Sequence, residues 1–353
     1  MNERGDSSAQ SFFSEIAGSW NRGGISNSMS ETIYRVKKIY YMIIDVIGVP
    51  VNLVAIVILS RRKCGLSTCT TRYLVSMATA DLLTIIFEVI LWRISYYFFP
   101  GAFLDITPVC SAISALGFAA MDCSVWFTVT FTFDRFVAIS CQKLKTIFCA
   151  GRTAAAVLTT TGVLLCFRNE PYFYRFHPVK VIGNIPWDCI TKPGYYTDPG
   201  WLGYRWLSTV LTPLLPFMLI LLLNSLTVRH MLVTNRVRKG LRVQSKAENR
   251  SDPEMESRRR SVILLLTISR SFITLWSVSV AEFLYDIIAG LNPNNYNDSE
   301  CILQNTGYML LTLSCCINTF IYGVTQSKFR EQFISAAKYP LMSIILLINK
   351  QNM

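Results

Sequence analysis

Residues 39–60 read Ile-Tyr-Tyr-Met-Ile-Ile-Asp-Val-Ile-Gly-Val-Pro-Val-Asn-Leu-Val-Ala-Ile-Val-Ile-Leu-Ser, and Asp45 is the only charged residue among them. A bilayer core about 30 Å thick needs roughly 20 helical residues to cross it. The stretch has that length and that apolar composition. It therefore predicts a membrane-spanning helix, and the rest of the chain shows whether this helix stands alone.

Further apolar stretches of similar length follow along the chain. The seven predicted spans, numbered one to seven in chain order, are residues 39–60, 71–92, 109–133, 150–167, 206–228, 261–289 and 302–325. Span four is interrupted by Thr159-Thr160-Thr161-Gly162. The polar first 38 residues show no cleavable signal peptide, so span one is expected to start insertion. The predicted fold class is an all-α membrane protein, a seven-transmembrane helix bundle.

The composition agrees with a membrane protein. Hydrophobic residues make up 52% of the 353 residues and charged residues 16%, whereas an average soluble chain carries about 25% charged residues. The low charge and positive mean hydropathy exclude a disordered chain, a collagen and a coiled coil. The net charge of +12 leaves two interpretations open, a nucleic-acid binder and a membrane protein with basic loops.

The positions of lysine and arginine decide between these interpretations. Segments 61–72, 134–152, 229–260 and 326–353 share one side of the membrane and carry 22 basic residues, whereas the other side carries 11. Because basic residues are retained in the cytoplasm, we expect the N-terminus outside and the C-terminus inside. The predicted parts are an extracellular tail (1–38), a membrane domain (39–325) and a cytoplasmic tail (326–353). Nucleic-acid binding is not expected.

Three of the eleven cysteines, Cys110, Cys189 and Cys301, fall on the predicted outer side. Cys110 opens span three, and Cys189 lies midway along the loop between spans four and five. We predict a disulfide between them, which would tie this loop over the bundle in an oxidising compartment. The alternative is two unpaired thiols. Asn297-Asp298-Ser299 is an outward glycosylation sequon, although its closeness to span seven opposes modification.

Ionisable groups at membrane depth are costly, so each is a candidate functional residue. Asp81 in span two, Ser124 in span three, and Ser314 and Asn318 in span seven all lie near the middle of their spans. Oxygen ligands from three helices would suit a hydrated sodium ion, because hard cations prefer carboxylate and hydroxyl oxygens. The alternative is a water-filled hydrogen-bond network around a protonated Asp81.

One feature in span three and one in span six are candidate parts of a conformational switch. Asp134-Arg135-Phe136 ends span three at the cytoplasmic face, where an arginine beside a carboxylate can hold a bundle closed. The alternative is an ordinary charged helix end. Trp276 in span six would place a large ring at the floor of a pocket, and the alternative is simple packing.

Span seven and the segment after it carry a further motif. Asn318 and Tyr322 are four residues apart and therefore share one helix face. The segment 328–333 is amphipathic, with Phe329 and Phe333 also four apart. This pattern predicts a short eighth helix on the inner membrane surface.

Together these motifs resemble the rhodopsin-like (class A) G protein-coupled receptors. The resemblance covers about residues 39–335 and follows the family's order. The matching residues are Asn52, Asp81, Cys110 with Cys189, Asp134-Arg135-Phe136, Pro216, Trp276 and Asn318-Thr319-Phe320-Ile321-Tyr322. Within the family, residues 125–129, 223–225 and 274–276 look most like an orphan branch proposed to sense aromatic amino acids.

The resemblance implies a plasma-membrane receptor for an extracellular ligand. Such a receptor activates a heterotrimeric G protein when the cytoplasmic ends of spans five and six open. It implies no cofactor except an allosteric sodium ion, and membrane lipids are further expected partners. An enzyme is not expected, because His177 and His230 are the only histidines and fall on opposite sides. The alternative function is a polytopic secondary transporter for a small solute, which would favour an internal repeat.

The chain departs from the family pattern at several positions. Val278 and Thr319 stand where spans six and seven normally have prolines, so a backbone hinge is lost in each. The tryptophan usual in span four is missing. Arg258 occupies the place where some relatives have an acid to pair with Arg135, so no lock between Arg135 and span six is expected.

The outer halves of the spans contain acids and aromatic residues that suit a cationic or zwitterionic small molecule, such as an amino-acid-like ligand, or a short peptide. The ligand-pocket candidates are Glu88, Trp92, Phe118, Met121, Asp122, Glu282, Phe283 and Tyr308. Gly117 stands where amine receptors of the family carry an aspartate, so a biogenic amine in that pose is not expected. Asp122 could substitute, and the alternative is a buried, water-linked or protonated aspartate.

Overall fold

The computed structural model describes residues 27–61, 64–244, 253–289 and 296–335. Seven long helices within these ranges form a bundle, which confirms the predicted fold class. In chain order their bounds are Asn27–Ser60, Thr68–Phe98, Thr107–Ser140, Gly151–Asn169, 199–244, Pro253–Ala289 and Asp298–Thr325. Most of the predicted tails, and residues 245–252 of the basic loop, lie outside the described residues.

Six of these helices are long and apolar enough to cross a membrane, by length and composition alone. The remaining helix is span four, Gly151–Asn169, whose run of threonines lowers its apolarity. Its Ala154 and Leu158 are buried in the same hydrophobic cluster as Phe127 and Phe131 of span three. Packing therefore makes span four part of the bundle.

All seven helices extend beyond their predicted spans at one end or both, and spans one and four show why. The helix of span one begins at Asn27, where the polar Glu31 and Arg35 form an exposed ion pair of 2.6 Å. The helix of span four continues through Arg168 to Asn169, so the assignment of Arg168 to the outer loop was wrong. An apolar run marks only the part of a helix that meets lipid, and it ends before these polar turns.

Spans two and five contain π-helical segments, Ile85–Ile94 and Val210–Leu214. In span five, Thr212 leaves the helical region with φ −153° and ψ 110°. It precedes Pro213, and a proline disfavours the helical conformation of the residue before it. Span six runs as one helix, Pro253–Ala289, in agreement with Val278 at the usual proline position.

The loop between spans four and five contains two antiparallel strand pairs. Strand β1 (Phe176–His177) pairs with β4 (Ile190–Thr191), and β2 (Lys180–Ile182) pairs with β3 (Ile185–Trp187). Gly183 and Asn184 connect β2 to β3 with φ of 57° and 65°. Positive φ at both central residues is the requirement of a type I′ hairpin turn, so the loop is a hairpin.

The predicted disulfide between Cys110 and Cys189 is present, with the two Cα atoms 6.6 Å apart. It joins the hairpin to the start of span three. The Thr107 hydroxyl donates to the Asp188 carbonyl oxygen at 2.8 Å, and the Asp188 amide donates to the Asp105 carbonyl oxygen at 2.7 Å. The hairpin is therefore fixed to one end of the bundle, called below the disulfide end. The opposite end is the Arg135 end.

Candidate functional site

Asp81 lies fully buried inside the bundle. The Ser124 hydroxyl donates to one oxygen of its carboxylate, and the Asn318 amide donates to the other at 2.8 Å. Ser314 instead donates to the carbonyl oxygen of Leu311 at 2.6 Å. Three of the four residues predicted for an ion network are thus bonded together, in helices two, three and seven.

A cavity of about 20 Å³ lies beside this cluster. Its polar wall includes Ser124, Ser314 and Asn318, and Trp276 forms part of the apolar wall. A water-sized occupant needs roughly 10–15 Å³, so the cavity has room for one small particle. The described residues contain no group of three or more His, Cys, Asp or Glu that could hold a metal. A cation here would depend on hydroxyl and amide oxygens beside the single carboxylate of Asp81.

Trp276 connects the cavity to the apolar core of the bundle. The side chain is buried, and its ring stacks on Phe272 with centroids 5.2 Å apart and planes at 24°. Val125 of span three, Ile220 of span five and Leu311 of span seven belong to the same cluster. A displacement of this ring would therefore affect three neighbouring helices together.

Arg135 is held at its end of the bundle by two contacts. Its Nε donates to Asp134 Oδ2 at 2.9 Å, and its Nη2 donates to the same oxygen. Its Nη1 donates to the Ser261 hydroxyl of span six at 3.4 Å. Among the described residues no acid of span six pairs with Arg135, and a long hydrogen bond to a hydroxyl joins Arg135 to this span instead. Phe136 is half-buried beside these residues.

The end of span seven packs against the following segment. Tyr322 is fully buried, and its ring meets Phe329 edge-on with centroids 5.9 Å apart. Residues 327–335 are helical, and Phe329 stacks on Phe333 at 6.2 Å. The amphipathic segment is thus a short helix whose aromatic face covers the end of span seven. Asn318, one turn before Tyr322, links this end to Asp81.

At the disulfide end, Glu88 of span two occupies the space that Gly117 of span three leaves. A Cβ at Gly117 would lie 2.5 Å from Glu88 Oε1. The other Glu88 carboxylate oxygen lies 3.9 Å from Arg93 Nη2, and both side chains are mostly buried. The position that carries an aspartate in amine receptors is therefore filled by an acid from a neighbouring helix.

Two of the aromatic pocket candidates lie in stacked pairs with other rings. Trp92 stacks on Phe176 of the hairpin with centroids 5.5 Å apart, and Phe118 stacks on Tyr172 at 4.2 Å. Met121 and Tyr308 pack against the Trp276 cluster. Phe283 is half-buried in span six. Four of these candidates thus line the disulfide end or connect it to Trp276.

Arg175 was missed by sequence reasoning because a loop residue has no periodicity that places it. Its guanidinium lies over four aromatic rings. The centroid distances are 4.4 Å for Phe176, 5.2 Å for Phe118 and 5.8 Å for both Tyr172 and Tyr195. Burial raises the pKa of nearby Tyr196, and the charge of Arg175 acts in the opposite direction.

Asp122 does not join the other pocket candidates. It is buried and accepts hydrogen bonds from Arg168 and from the Asn169 amide, the latter at 2.5 Å. Arg168 also donates to the Thr212 hydroxyl at 3.2 Å. These contacts join spans three, four and five. The partner was missed because Arg168 was assigned to a loop.

Glu282 is the buried acid on the span-six side of the disulfide end, with 6% of its surface exposed. It makes no ion pair with the described residues. The Tyr296 hydroxyl donates to Asp286. Burial raises the pKa of Tyr296, and the bond to Asp286 raises it further.

Asn297 begins the helix of span seven as its N-cap. Its side-chain oxygen accepts from the Glu300 amide at 3.0 Å, and the Glu300 carboxylate accepts from the Asn297 amide at 2.8 Å. This reciprocal arrangement is a capping box. Asn297 is exposed, and its glycosylation stays a prediction.

Comparison with known proteins agrees with this architecture. The sequence profile of the 7 transmembrane receptor (rhodopsin family) matches residues 51–322. The chain is 24% identical over 323 residues to the FMRFamide receptor of Drosophila melanogaster, covering 83% of the chain and 52% of that receptor. It is 23% identical to the vasopressin V1b receptor of Mus musculus, covering 71% of the chain and 63% of that receptor.

The probable G-protein coupled receptor 142 of Mus musculus is also 23% identical, over 83% of the chain and 70% of that protein. The chain thus spans between half and two thirds of the length of the first two relatives. The family match covers well over half of the chain, from span one to Tyr322 at the end of span seven. The protein therefore belongs to the rhodopsin family of seven-transmembrane, G protein-coupled receptors.

Proposed function

We propose that this receptor binds its ligand at the disulfide end and activates a heterotrimeric G protein at the Arg135 end. The observation that carries the proposal is the continuous set of contacts between the two ends. Trp276 lines the cavity beside Ser124 and Asn318. Asn318 bonds to Asp81 and lies one helical turn from Tyr322 at the Arg135 end.

The contacts at the Arg135 end suggest how activation proceeds. Arg135 is bonded to Asp134 and reaches Ser261 of span six in the observed arrangement. An outward movement of spans five and six breaks the contact with Ser261 and opens a cleft for the G protein. A ligand shifts this equilibrium only by the difference between its affinities for the two arrangements.

The orientation belongs to the same proposal. The disulfide end faces outside, with the N-terminus, and the Arg135 end faces the cytoplasm, with the C-terminus. Two observations support this orientation. The segments at the Arg135 end carry twice as many lysines and arginines as the other side, and basic segments stay in the cytoplasm. A disulfide between Cys110 and Cys189 suits an oxidising exterior.

The ligand we propose is amino-acid-like or a short peptide. The disulfide end combines stacked aromatic rings with arginines and acids, a setting that suits zwitterionic groups. Two relatives are named for ligands, FMRFamide and vasopressin. The resemblance of residues 125–129, 223–225 and 274–276 to an orphan branch that is proposed to sense aromatic amino acids supports the same choice.

We also propose that the cavity beside Asp81 takes a sodium ion that favours the closed arrangement. Replacing the carboxylate by an amide should remove the effect of sodium on signalling. The measurement is nucleotide exchange by the G protein in sodium and in N-methylglucamine buffers, for wild type and Asp81→Asn. Asp45→Asn, which removes the acid of span one, is the control and should keep the effect. Unchanged sodium dependence in Asp81→Asn would rule the site out.

Reconstitution tests the receptor function itself. The full chain in lipid vesicles is combined with purified Gq, Gi or Gs heterotrimers, and nucleotide exchange is measured with panels of amino acids, amines and short peptides. Exchange that depends on a probe and is lost in Arg135→Ala supports the proposal. Probe uptake into sealed vesicles without any exchange would favour the alternative, a secondary transporter.

A further inference from the structure

We infer that Arg175 binds a free carboxylate group of the ligand, so that the receptor distinguishes a carboxylic acid from the corresponding amide. This inference rests on the proposed function, because it places the ligand at the disulfide end. It names one group of the ligand and one residue of the loop between spans four and five that recognises it.

The first step is the setting of the guanidinium. Arg175 is the last residue of the 3₁₀ turn Glu170–Arg175, immediately before strand β1. Aromatic rings from span three, the turn and the hairpin surround it. Rings stabilise a cation without using its hydrogen-bond donors. The charge of Arg175 is thus held in place by rings that accept none of its hydrogen-bond donors.

The second step is the lack of a protein partner. Nε of Arg175 is buried without a hydrogen-bond acceptor, and no described residue forms an ion pair with the guanidinium. Other mostly buried arginines of the bundle do face carboxylates, since Arg135 contacts Asp134 and Arg168 contacts Asp122. A guanidinium matches a carboxylate through two parallel hydrogen bonds. Arg175 has the chemistry for this contact and lacks the acid.

The third step is the direction of the charge. The guanidinium of Arg175 lies 5.2 Å from the ring centroid of Phe118 in span three, so its charge lies against the bundle. Glu88 already faces Arg93 at 3.9 Å. Arg175 has no carboxylate of its own among the described residues, so this side of the disulfide end has a surplus of positive charge.

The fourth step is the opposite sign on the side of span six. Glu282 of span six is buried, with 6% of its surface exposed, and has no basic partner among the described residues. The disulfide end is thus positive on the side of span two and the hairpin and negative on the side of span six. A zwitterion would place its carboxylate at Arg175 and its ammonium towards Glu282. The stacked pair of Phe118 and Tyr172 offers a flat apolar wall between span three and the turn.

Matched acid and amide probes test the inference. The full-length receptor in nanodiscs, without G protein, is titrated with phenylalanine, leucine, Gly-Phe and Gly-Leu, each as free acid and as amide. Binding is measured as the shift of the thermal unfolding temperature. We expect at least one acid to bind about tenfold or more tightly than its amide, because the amide loses a charge-assisted bidentate contact. If no acid binds, or if amides bind equally well, the inference is wrong.

Three variants locate the effect. Arg175→Gln should reduce the acid-over-amide ratio to below about twofold, and Arg175→Lys should reduce it only in part, because lysine keeps the charge and loses the planar fork. Arg205→Gln is the matched control, since Arg205 also lies over the Tyr195 and Tyr196 rings, and it should keep the full ratio. An undiminished ratio in Arg175→Gln, or in Arg175→Lys if the glutamine variant fails to fold, overturns the inference.

The two proposals fail separately. Binding in nanodiscs requires no G protein, so acid selectivity that depends on Arg175 can be present even when nucleotide exchange is absent. That result would contradict the proposed receptor function and leave the carboxylate site intact. Exchange evoked by amides and amines alone, with no acid bound, would support the receptor function and overturn the site.

Discussion

At the scale of single residues, Gly117 and Glu88 show how a missing side chain on one helix admits a charge from another. A Cβ at Gly117 would meet Glu88 Oε1 at 2.5 Å and Cγ at 3.0 Å. Both atoms belong to a flexible side chain, so an added methyl displaces Glu88 more easily than it moves the backbone. The glycine therefore fixes the position of Glu88, and through it the contact with Arg93.

Gly117→Ala should lower the free energy of unfolding by about 1 kcal/mol, because overpacking outweighs the better helix propensity of alanine. Thermal unfolding of the purified receptor measures this loss of stability. Gly323→Ala is the control: no atom lies within 4 Å of a Cβ there, and this change should be neutral or stabilising. In a Glu88→Ala background the cost of Gly117→Ala should disappear. Equal effects of the two glycine substitutions in wild type would contradict the steric argument.

Asp122 shows that a buried acid in the outer half of a bundle can join neighbouring helices through hydrogen bonds. It is bonded to Arg168 and Asn169 of span four. Asp122→Asn leaves the guanidinium of Arg168 without its carboxylate, and breaking a buried ion pair costs about 3–5 kcal/mol. We expect a large fall in the unfolding temperature, whereas Asp198→Asn in an exposed loop should have little effect.

The double variant Asp122→Asn with Arg168→Gln refines this prediction. Removing both charges leaves no uncompensated ion, so the double variant should be less destabilised than the sum of the single variants. Full stability of Asp122→Asn combined with loss of ligand response would instead show that Asp122 binds the ligand directly.

At the scale of elements, the hairpin between spans four and five depends on its attachment to span three. The Cys110–Cys189 disulfide closes a sequence separation of 79 residues, and removal of such a crosslink costs about 2–4 kcal/mol. Cys189→Ser should therefore lower the unfolding temperature and weaken probe binding, because Phe176 and Arg175 lie on the same segment. A reducing agent should have the same effect on wild type.

The third cysteine of this end supplies the control. Cys301 is buried and unpaired, so Cys301→Ser should keep the full response to the reducing agent, whereas Cys189→Ser should show none. A reductant effect that persists in Cys189→Ser would show that another group is responsible.

The sequence predicted the helical segments that must be apolar because they meet lipid. It missed the features that carry no apolar signal. The apolar runs located all seven helices, and the cysteine positions located the disulfide. The polar sequence at the start of span one and the polar last turn of span four carry no apolar signal, so their helical state was not apparent. The π-helical segment Ile85–Ile94 has no signal in the apolar pattern that located span two.

The same division applies to the candidate site. Asp81, Ser124 and Asn318 were grouped correctly because each lies at the middle of a span, and depth in the membrane can be counted along a helix. Arg175 could not be placed in this way, since the path of a loop follows from the hairpin and the disulfide. The Arg168 partner of Asp122 was missed because a helix end cannot be located to within one turn from an apolar run.

At the scale of the whole molecule, the two ends of the bundle differ in how strongly they are closed. The disulfide end is fixed by a covalent bond and by hairpin contacts. At the Arg135 end, the described side chain that links Arg135 to span six is the Ser261 hydroxyl, at 3.4 Å. At this length even a hydrogen bond from a charged guanidinium is weak. The Arg135 end is therefore the end that opens at low cost, and a measurable basal activity is expected.

Ser261→Glu tests this view of the resting state. It places a carboxylate where the hydroxyl meets Arg135, and an ion pair near a protein surface contributes up to about 1 kcal/mol, which corresponds to roughly a fivefold shift in the closed–open equilibrium. We expect a two- to fivefold (~1 kcal/mol) reduction of probe-independent nucleotide exchange in reconstituted vesicles.

Ser261→Gln is the control, because glutamine has the size of glutamate without its charge. It should leave the basal rate near that of wild type. High salt should partly restore the rate in Ser261→Glu, because salt screens the new pair. A basal rate that is equal in the two variants would show that the opening of this end does not depend on the contact between Arg135 and span six.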